Sequence, residues 1–150
     1  MTDIFDQSHR SKIMASVKGK NTKIERLVRK MLFSKGYRYR LHRKDLFGRP
    51  DIVFPKYKVV VFINGCFWHL HGCKKSKIPE TNSEWWFEKL SKNKERDRKN
   101  ILKLKKLGWR CVTIWECSLK GNQNQLHDKL NEVCKQVEQF LSSNQKCKEI

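Results

Sequence analysis

The fold of this chain is decided by residues 51–63, which read DIVFPKYKVVVFI. Residues 51–54 and 58–63 are rich in the β-branched and aromatic side chains that favour strands, and Pro55 and Lys56 separate the two stretches. The second stretch is almost entirely apolar, which is typical of a strand buried on both faces. We therefore expect a sheet whose central strand lies at residues 58–63.

A helix, a strand and a turn are predicted upstream of these two strands. Thr22 and Glu25 form a capping box, and apolar residues then recur at helical spacing as far as Gly36. Residues 37–42 alternate large apolar side chains with basic ones, which predicts a half-buried strand. A turn is expected at residues 48–50, Gly-Arg-Pro.

Downstream, residues 83–107 are predicted to form a helix in one or two pieces, with an apolar side and many lysines. A strand at residues 109–116 and an amphipathic helix at residues 126–141 follow. The order is helix, three strands, helix, strand, helix. This order predicts an α/β protein with a central mixed β-sheet and helices on both faces.

The charge of the chain indicates a polyanionic partner. Its 34 Lys and Arg residues outnumber 15 Asp and Glu residues, which gives a net charge of +19. Residues 121–150 are electrically balanced, so the excess lies in residues 1–120. Such a field favours nucleic acid as the partner. Residues 1–20, which are basic and lack periodicity, are predicted to be a DNA-binding arm, and residues 21–150 a single domain.

A membrane protein and a secreted protein are not expected. The longest apolar run, residues 59–63, is far shorter than the roughly 18 residues that a membrane span needs. The first ten residues, MTDIFDQSHR, lack the apolar core of a secretory signal. We therefore expect a cytoplasmic protein whose six cysteines stay reduced, available to bind metal or to be buried.

The segment from residue 66 to residue 79 is the strongest candidate for a metal site. Cys66, His71 and Cys73 fall within eight residues and offer three corners of a zinc tetrahedron. The spacing leaves the fourth ligand open among four other cysteines: Cys111, Cys117, Cys134 and Cys147. The alternative is that the cysteines are small core residues and the histidines are incidental.

Other side chains near this segment suit catalysis or DNA contact. Asp51 begins a strand after a turn, where a carboxylate can bind Mg²⁺ or, alternatively, cap its own turn. His69 suits proton transfer at neutral pH. Phe67 and Trp68 either pack beneath the loop or stack on bases.

Eight motifs, taken in order over residues 10–120, resemble those of the very-short-patch-repair (Vsr) DNA mismatch endonuclease family. They are RSKIM at 10–14, TxxE at 22–25, GRPD at 48–51, NGCFWH at 64–69, HxC at 71–73, KNKERDR at 92–98, LGWR at 107–110 and WEC at 115–117. The resemblance implies a restriction-endonuclease-like fold. It also implies an enzyme that nicks double-stranded DNA next to the thymine of a T:G mismatch, with catalytic Mg²⁺ and structural Zn²⁺.

Carried over by position, the resemblance assigns roles to individual residues. The catalytic group comprises Asp51, His69, Glu25 and Asn64, and the magnesium ion contacts Asp51 and the carbonyl of Ile63. Zinc is held by Cys66, His71, Cys73 and Cys117. The DNA contacts are Met14, Phe67, Trp68, Trp86, Lys89 and Asn93.

Asn64 departs from the family pattern, in which that position is a histidine or an acid. The departure matters because asparagine cannot carry a proton at neutral pH. Two rival functions therefore stay open: a restriction or nicking endonuclease that cuts unmismatched sites, and a zinc-stabilised DNA-binding module without catalysis. We expect a monomer that acts with repair helper proteins.

Overall fold

A computed structural model of the chain describes residues 22–150. The arm predicted at residues 1–20, with Met14, lies outside the described residues. The main elements in chain order are α1 (Lys23–Ser34), β1 (Arg40–Leu41), β2 (Ile52–Phe54), β3 (Val59–Asn64), α2 (Ser83–Lys106), β4 (Arg110–Trp115), α3 (Gln123–Leu141) and β5 (Cys147–Glu149).

The five strands form one mixed sheet in the order β1-β2-β3-β4-β5. The first three strands are antiparallel, and β3, β4 and β5 run parallel. Ile52, the first residue of β2, pairs with Val61 of β3, and Asn64 at the end of β3 pairs with Trp115 at the end of β4. One edge of the sheet therefore gathers the start of β2, the loop after β3 and the chain that follows β4.

Alternate residues of the central strands face opposite sides of the sheet, as the pleat requires. One set packs against α1 and α3 in a cluster that includes Phe54, Val61 and Ile114. The opposite set, which includes Val60 and Cys111, packs against Leu104 of α2. The predicted mixed sheet with helices on both faces is confirmed, and β3 is central as expected.

Two elements differ from the sequence prediction. The strand expected at residues 37–42 is reduced to Arg40–Leu41, which pair with Val53 and Ile52 of β2. His42 has a left-handed backbone, with φ 46°, that ends the strand at Leu41. β5 was not predicted, since residues 147–149 are too polar to resemble a strand. This edge strand is held by backbone pairing to β4, continued by the Ile150 N–H donating to the Thr113 carbonyl at 2.9 Å.

The long basic helix is continuous rather than in two pieces, with 24 residues from Ser83 to Lys106. Within residues 22–150, every helix lacks the combination of length and apolar character that crossing a bilayer demands.

Candidate active site and metal centre

A cleft of about 890 Å³ opens at the edge of the sheet where β2 begins and β3 ends. Its lining comes from α1, the turn before β2, the end of β3, the loop after it, and α2. Five residues of the predicted catalytic and magnesium groups line it together: Glu25, Asp51, Ile63, Asn64 and His69. The fold thus brings together residues that are up to 44 positions apart in the sequence.

The carboxyl group of Asp51 is largely enclosed in this cleft. Its Oδ2 atom accepts a hydrogen bond from the backbone N–H of Ile63 at 2.7 Å, and its own backbone N–H donates to the Val61 carbonyl at 3.0 Å. Burial, followed by the nearby charge of Glu25, raises the pKa of Asp51 to about 7. Two neighbouring carboxylates in a desolvated place disfavour each other's ionisation, and a bound cation relieves that repulsion.

Glu25 is positioned by the start of α1. The side chain of Thr22 caps the helix by accepting a hydrogen bond from the Glu25 backbone N–H at 3.2 Å. The buried Glu25 carboxylate also contacts Nε2 of His42 at 3.0 Å. Ligand atoms of Glu25, His42 and Asp51 lie within 4.8 Å of one another, so these three side chains could hold a metal ion.

His69 has a partner that the sequence analysis missed. Its Nδ1 atom lies 2.5 Å from Oδ2 of Asp97, which belongs to α2 and also lines the cleft. The backbone N–H of His69 donates to the Gly65 carbonyl at 3.2 Å, which ties the loop to the end of β3. With Nδ1 occupied by Asp97, Nε2 is the ring nitrogen left for a reaction. His42 was also missed, and neither residue had a spacing signal in the sequence.

A second group of metal-ligating atoms lies beside the cleft. Cys66, His71, Cys73 and Cys117 place three thiol sulfurs and an imidazole nitrogen within 4.8 Å of one another. The backbone N–H of Cys117 donates to Sγ of Cys66 at 3.4 Å, and Sγ of Cys117 lies 3.5 Å from Nδ1 of His71. This Cys₃His donor set matches a closed tetrahedral zinc site.

The thiols of this cluster differ in how easily they ionise. Burial raises the pKa of Cys66 to about 12. Burial also opposes ionisation of Cys73, but hydrogen bonding to His71, the Lys75 backbone and the other two thiols lowers the pKa of Cys73 to about 6. Cys73 therefore becomes a thiolate, the form that binds metal, more readily than Cys66.

The sheet explains why Cys117 is the fourth member of the cluster. β3 and β4 are parallel and end side by side, so the loop that carries Cys66 meets the chain that leaves β4 at Cys117. The other three cysteines lie outside the cluster: Cys111 and Cys134 are buried and Cys147 is exposed.

Trp115 and Glu116 lie between the two sites. The Trp115 ring stacks on the His71 ring at 4.0 Å with an interplanar angle of 9°, and it lies 6.5 Å from the His69 ring. The Glu116 carboxylate lines the cleft and pairs at 2.8 Å with Lys75 of the cysteine-rich loop. The cluster and the cleft therefore share a common wall.

The aromatic residues form a packed group on the loop and the start of α2. Phe67 and Trp68 have ring centroids 5.1 Å apart, and both rings contact Trp86, at 5.4 and 6.1 Å. Trp86 is buried, whereas Phe67 and Trp68 are half-buried. The sequence left open whether Phe67 and Trp68 are packed or exposed. In the structure the two rings pack on each other and on Trp86, and each also keeps a solvent-facing side.

The predicted polar contacts on α2 lie next to this aromatic group. Asn93 donates a hydrogen bond from Nδ2 to the Trp68 carbonyl at 3.2 Å. The ammonium group of Lys89 lies 5.0 Å from the ring centre of Trp85, which is 53% exposed and was not among the predicted residues. α2 therefore carries a cation, Lys89, and an exposed aromatic ring, Trp85, next to the aromatic group.

Similarity to known proteins supports the family resemblance. A family model described as DNA mismatch endonuclease Vsr matches residues 2–75. The type II nicking enzyme V.NmeAIP of Neisseria meningitidis is 49% identical over 137 residues, covering 91% of this chain and 97% of that protein. The DNA mismatch endonuclease Vsr of Escherichia coli is 42% identical over 132 residues, covering 88% and 85%. The type II nicking enzyme V.XorIIP of Xanthomonas oryzae is 45% identical over 119 residues, covering 79% and 88%.

These similarities extend over most of the chain and of each relative, and all three relatives are named as enzymes that cut DNA. The prediction of a DNA endonuclease is confirmed at that level. The chain belongs to the DNA mismatch endonuclease Vsr family.

Proposed function

We propose that this protein is a magnesium-dependent endonuclease that nicks one strand of double-stranded DNA next to the thymine of a T:G mismatch. The observation that carries the proposal is the cleft that gathers Asp51, Glu25 and the His69–Asp97 pair beside a Cys₃His cluster. Family membership and the charge of +19 support DNA as the substrate.

The carboxylates of the cleft suit Mg²⁺, which prefers one or two carboxylates with water and phosphate oxygens as its remaining ligands. Asp51 would hold the ion together with the Ile63 carbonyl, and Glu25 is the supporting acid. The raised pKa of Asp51, caused by burial and by Glu25, supports a cation at this place. When bound, Mg²⁺ polarises the phosphate and makes water more acidic.

His69 would move the proton. Asp97 accepts the Nδ1 proton, so that Nε2 is free to take a proton from the attacking water. The water oxygen forms a bond to phosphorus, the bond from phosphorus to one sugar oxygen breaks, and that sugar oxygen takes up a proton from solvent water. Asp97 thus acts through His69 by fixing its tautomer and orientation.

The Cys₃His cluster would hold a structural zinc ion. Four protein ligands fill the tetrahedron and leave no open position for water or substrate. The ion would fix the loop that carries His69 and the aromatic rings. Zinc is therefore expected to stabilise the fold and the site rather than take part in the cut.

Mismatch recognition is assigned to the aromatic group. Phe67 and Trp68 keep a solvent-facing side, and wedging such rings into a base step costs a few kcal/mol of lost stacking. A T:G pair opens more cheaply than a matched pair, which gives selectivity for the mismatch. Lys89 and Asn93 would contact DNA nearby, and Trp86 would support the rings from below.

For the remaining features, we propose a restriction-endonuclease-like arrangement of the sheet and helices, one domain over residues 21–150, and a DNA-binding arm over residues 1–20 that carries Met14. A single chain contains the whole cleft and cluster, which supports action as a monomer.

The test is nicking of a duplex library in which each molecule carries one T:G pair in a random sequence context, with the cut positions read by sequencing. Libraries with T:A or C:G at the same position are the matched controls. Each library is incubated with Mg²⁺ or with a chelator, and the two strands are followed separately.

Cuts on the thymine strand of T:G duplexes alone, and only with Mg²⁺, are the expected result. Equal cutting of T:A duplexes would instead make the protein a nicking endonuclease of unmismatched sites. Binding without cutting under any divalent cation would make it a DNA-binding module.

A further inference from the structure

The acids of the cleft already have partners within the protein. Four acids line it, and Asp51 accepts the Ile63 N–H at 2.7 Å. The other three contact basic side chains: Asp97 lies 2.5 Å from Nδ1 of His69, Glu116 lies 2.8 Å from Nζ of Lys75, and Glu25 lies 3.0 Å from Nε2 of His42. Each of these carboxylates therefore has a partner other than Lys23 and Arg49.

The cleft nevertheless has three more cations in its lining, Lys23, Arg49 and Arg96. Among the described residues, Arg96 forms one ion pair, with Asp97 at 3.6 Å, and Asp97 already contacts His69. Arg49 and Lys23 form no ion pair with any residue in the part of the chain from 22 to 150. As far as residues 22–150 are concerned, these two charges are available to an anionic ligand.

Arg49 is held by a strained turn. It has φ 48°, a left-handed conformation that arginine rarely adopts, next to Gly48 at φ 78°. A Cβ atom on Gly48 would lie 3.1 Å from the Phe62 ring and 3.2 Å from the Asn100 side chain, so the turn is closely packed between β3 and α2. Such a conformation is unfavourable for a residue with a side chain and persists where the surrounding structure imposes it, commonly at functional sites.

Glycine would adopt this conformation without that cost. The position nevertheless carries a long cation, exposed, in the lining of the cleft and two residues before Asp51. A structural role does not require this side chain, because it makes no ion pair within residues 22–150. The strain is explained if the side chain acts on a ligand.

We propose that Arg49 binds the phosphate that is cut and stabilises the charge that develops on it during hydrolysis. This inference rests on the proposed function, which places that phosphate beside Asp51. The planar guanidinium donates two parallel hydrogen bonds and matches phosphate oxygens, which the ammonium group of lysine cannot reproduce.

The test uses three full-length variants, Arg49→Gly, Arg49→Asn and Arg49→Lys. The Gly and Asn variants remove the charge but accept the left-handed backbone, so their melting temperatures should equal or exceed that of the wild type. Their single-turnover nicking rates at saturating protein should fall by about 10²- to 10³-fold, as for loss of one transition-state donor. The single-turnover rate of Arg49→Lys should lie between the rates of these two variants and the wild-type rate.

Lys135→Ala is the matched control, because it removes one exposed charge from α3, outside the cleft. It should cut at the wild-type rate. The Kd for uncut DNA, measured without divalent cations, should change less than fivefold in the Gly and Asn variants.

Wild-type single-turnover rates in Arg49→Gly and Arg49→Asn would overturn this inference while leaving the proposed function intact. A loss that appears only in Kd, with the saturated rate unchanged, would also overturn it, since Arg49 would then grip DNA without acting on the cut. A wild-type protein that does not nick any library overturns the proposed function and, with it, this inference.

Discussion

Nδ1 of His69 and Oδ2 of Asp97 lie 2.5 Å apart, although the two residues are 28 positions apart in the sequence. The loop after β3 supplies the imidazole, and α2 supplies the carboxylate. A carboxylate on one ring nitrogen fixes the tautomer and leaves the other nitrogen as a proton acceptor. The catalytic contribution of His69 should therefore depend on Asp97.

Replacing Asp97 with Asn tests this dependence. The Asn amide can donate to Nδ1, which moves the ring proton to Nε2 and removes the acceptor. We expect the single-turnover rate to fall by about 10²- to 10⁴-fold with little change in the Kd for DNA. Glu95→Gln is the control, since Glu95 is an exposed acid of the same helix that pairs with Arg98. A rate in Asp97→Asn equal to that of the control would contradict the dependence.

The fold could be predicted where side-chain patterns carry the information. The apolar run at residues 59–63 predicted the central strand β3. The capping-box pattern at Thr22 predicted the start of α1. β5 could not be predicted, because an exposed edge strand is held by backbone hydrogen bonds and needs no apolar pattern. The end of β1 at Leu41 could not be predicted, since the left-handed turn at His42 has no side-chain signature.

Without the family resemblance, residue spacing could predict the site only where its residues cluster in the sequence. The loop from Cys66 to Cys73 has a metal-ligand spacing, but spacing could not select Cys117 among four cysteines. That choice follows from the parallel pairing of β3 with β4. Asp97 lies within a run of charged helical residues, and in such a run the sequence does not distinguish a solvated carboxylate from a functional one. Asp97 is distinguished by its contact with Nδ1 of His69, which only the structure shows.

Asp51 should make stability depend on pH in the metal-free protein. Its pKa is about 7 in the fold, from burial and then Glu25, and about 3.9 in an unfolded chain. The folded state therefore binds the proton of Asp51 more tightly, so the contribution of Asp51 to stability is full below pH 4 and is lost as pH rises through 7. Asp51→Asn should abolish cutting and, at pH 8 without metal, raise the free energy of unfolding by about 1–3 kcal/mol.

Thermal unfolding at pH 4 and pH 8, with chelator or with Mg²⁺, measures this effect. The two proteins should unfold alike at pH 4. Mg²⁺ should raise the melting temperature of the wild type at pH 8 but not that of Asp51→Asn. An equal response of both proteins to Mg²⁺ would remove Asp51 from the metal site.

The Cys₃His cluster should retain one zinc ion per chain through dialysis. Cys73→Ser removes the thiol whose pKa is lowered to about 6, so zinc content and melting temperature should both fall. Cys147→Ser is the control, since Cys147 is an exposed cysteine outside the cluster. Elemental analysis and thermal unfolding measure the two effects. Freshly purified protein without zinc would contradict the assignment.

Trp68 should discriminate mismatched from matched DNA. Trp68→Ala removes a half-buried ring, and stacking on a base is worth about 1–3 kcal/mol, so affinity for a T:G duplex should fall by about tenfold or more. Affinity for the T:A duplex should change little, because a matched pair resists insertion. Trp85→Ala is the comparison, since Trp85 is a more exposed ring on α2. Equal losses on both duplexes would confine Trp68 to packing against Phe67 and Trp86.

Asn64 is the remaining test of how protons move in the cleft. It lies at the end of β3 and lines the cleft with His69, but its amide cannot carry a proton at neutral pH. Asn64→His should add a second proton-transfer group, one that can protonate the departing sugar oxygen while His69 accepts the proton of water. We expect the single-turnover rate to rise by about 10-fold or more and the rate profile to gain a limb near pH 6.5, the ordinary pKa of histidine. Asn64→Gln, which keeps an amide, should not exceed the wild type. A rate for Asn64→His that equals the wild-type rate over pH 6–8 would mean that protonation of the departing oxygen does not limit cutting.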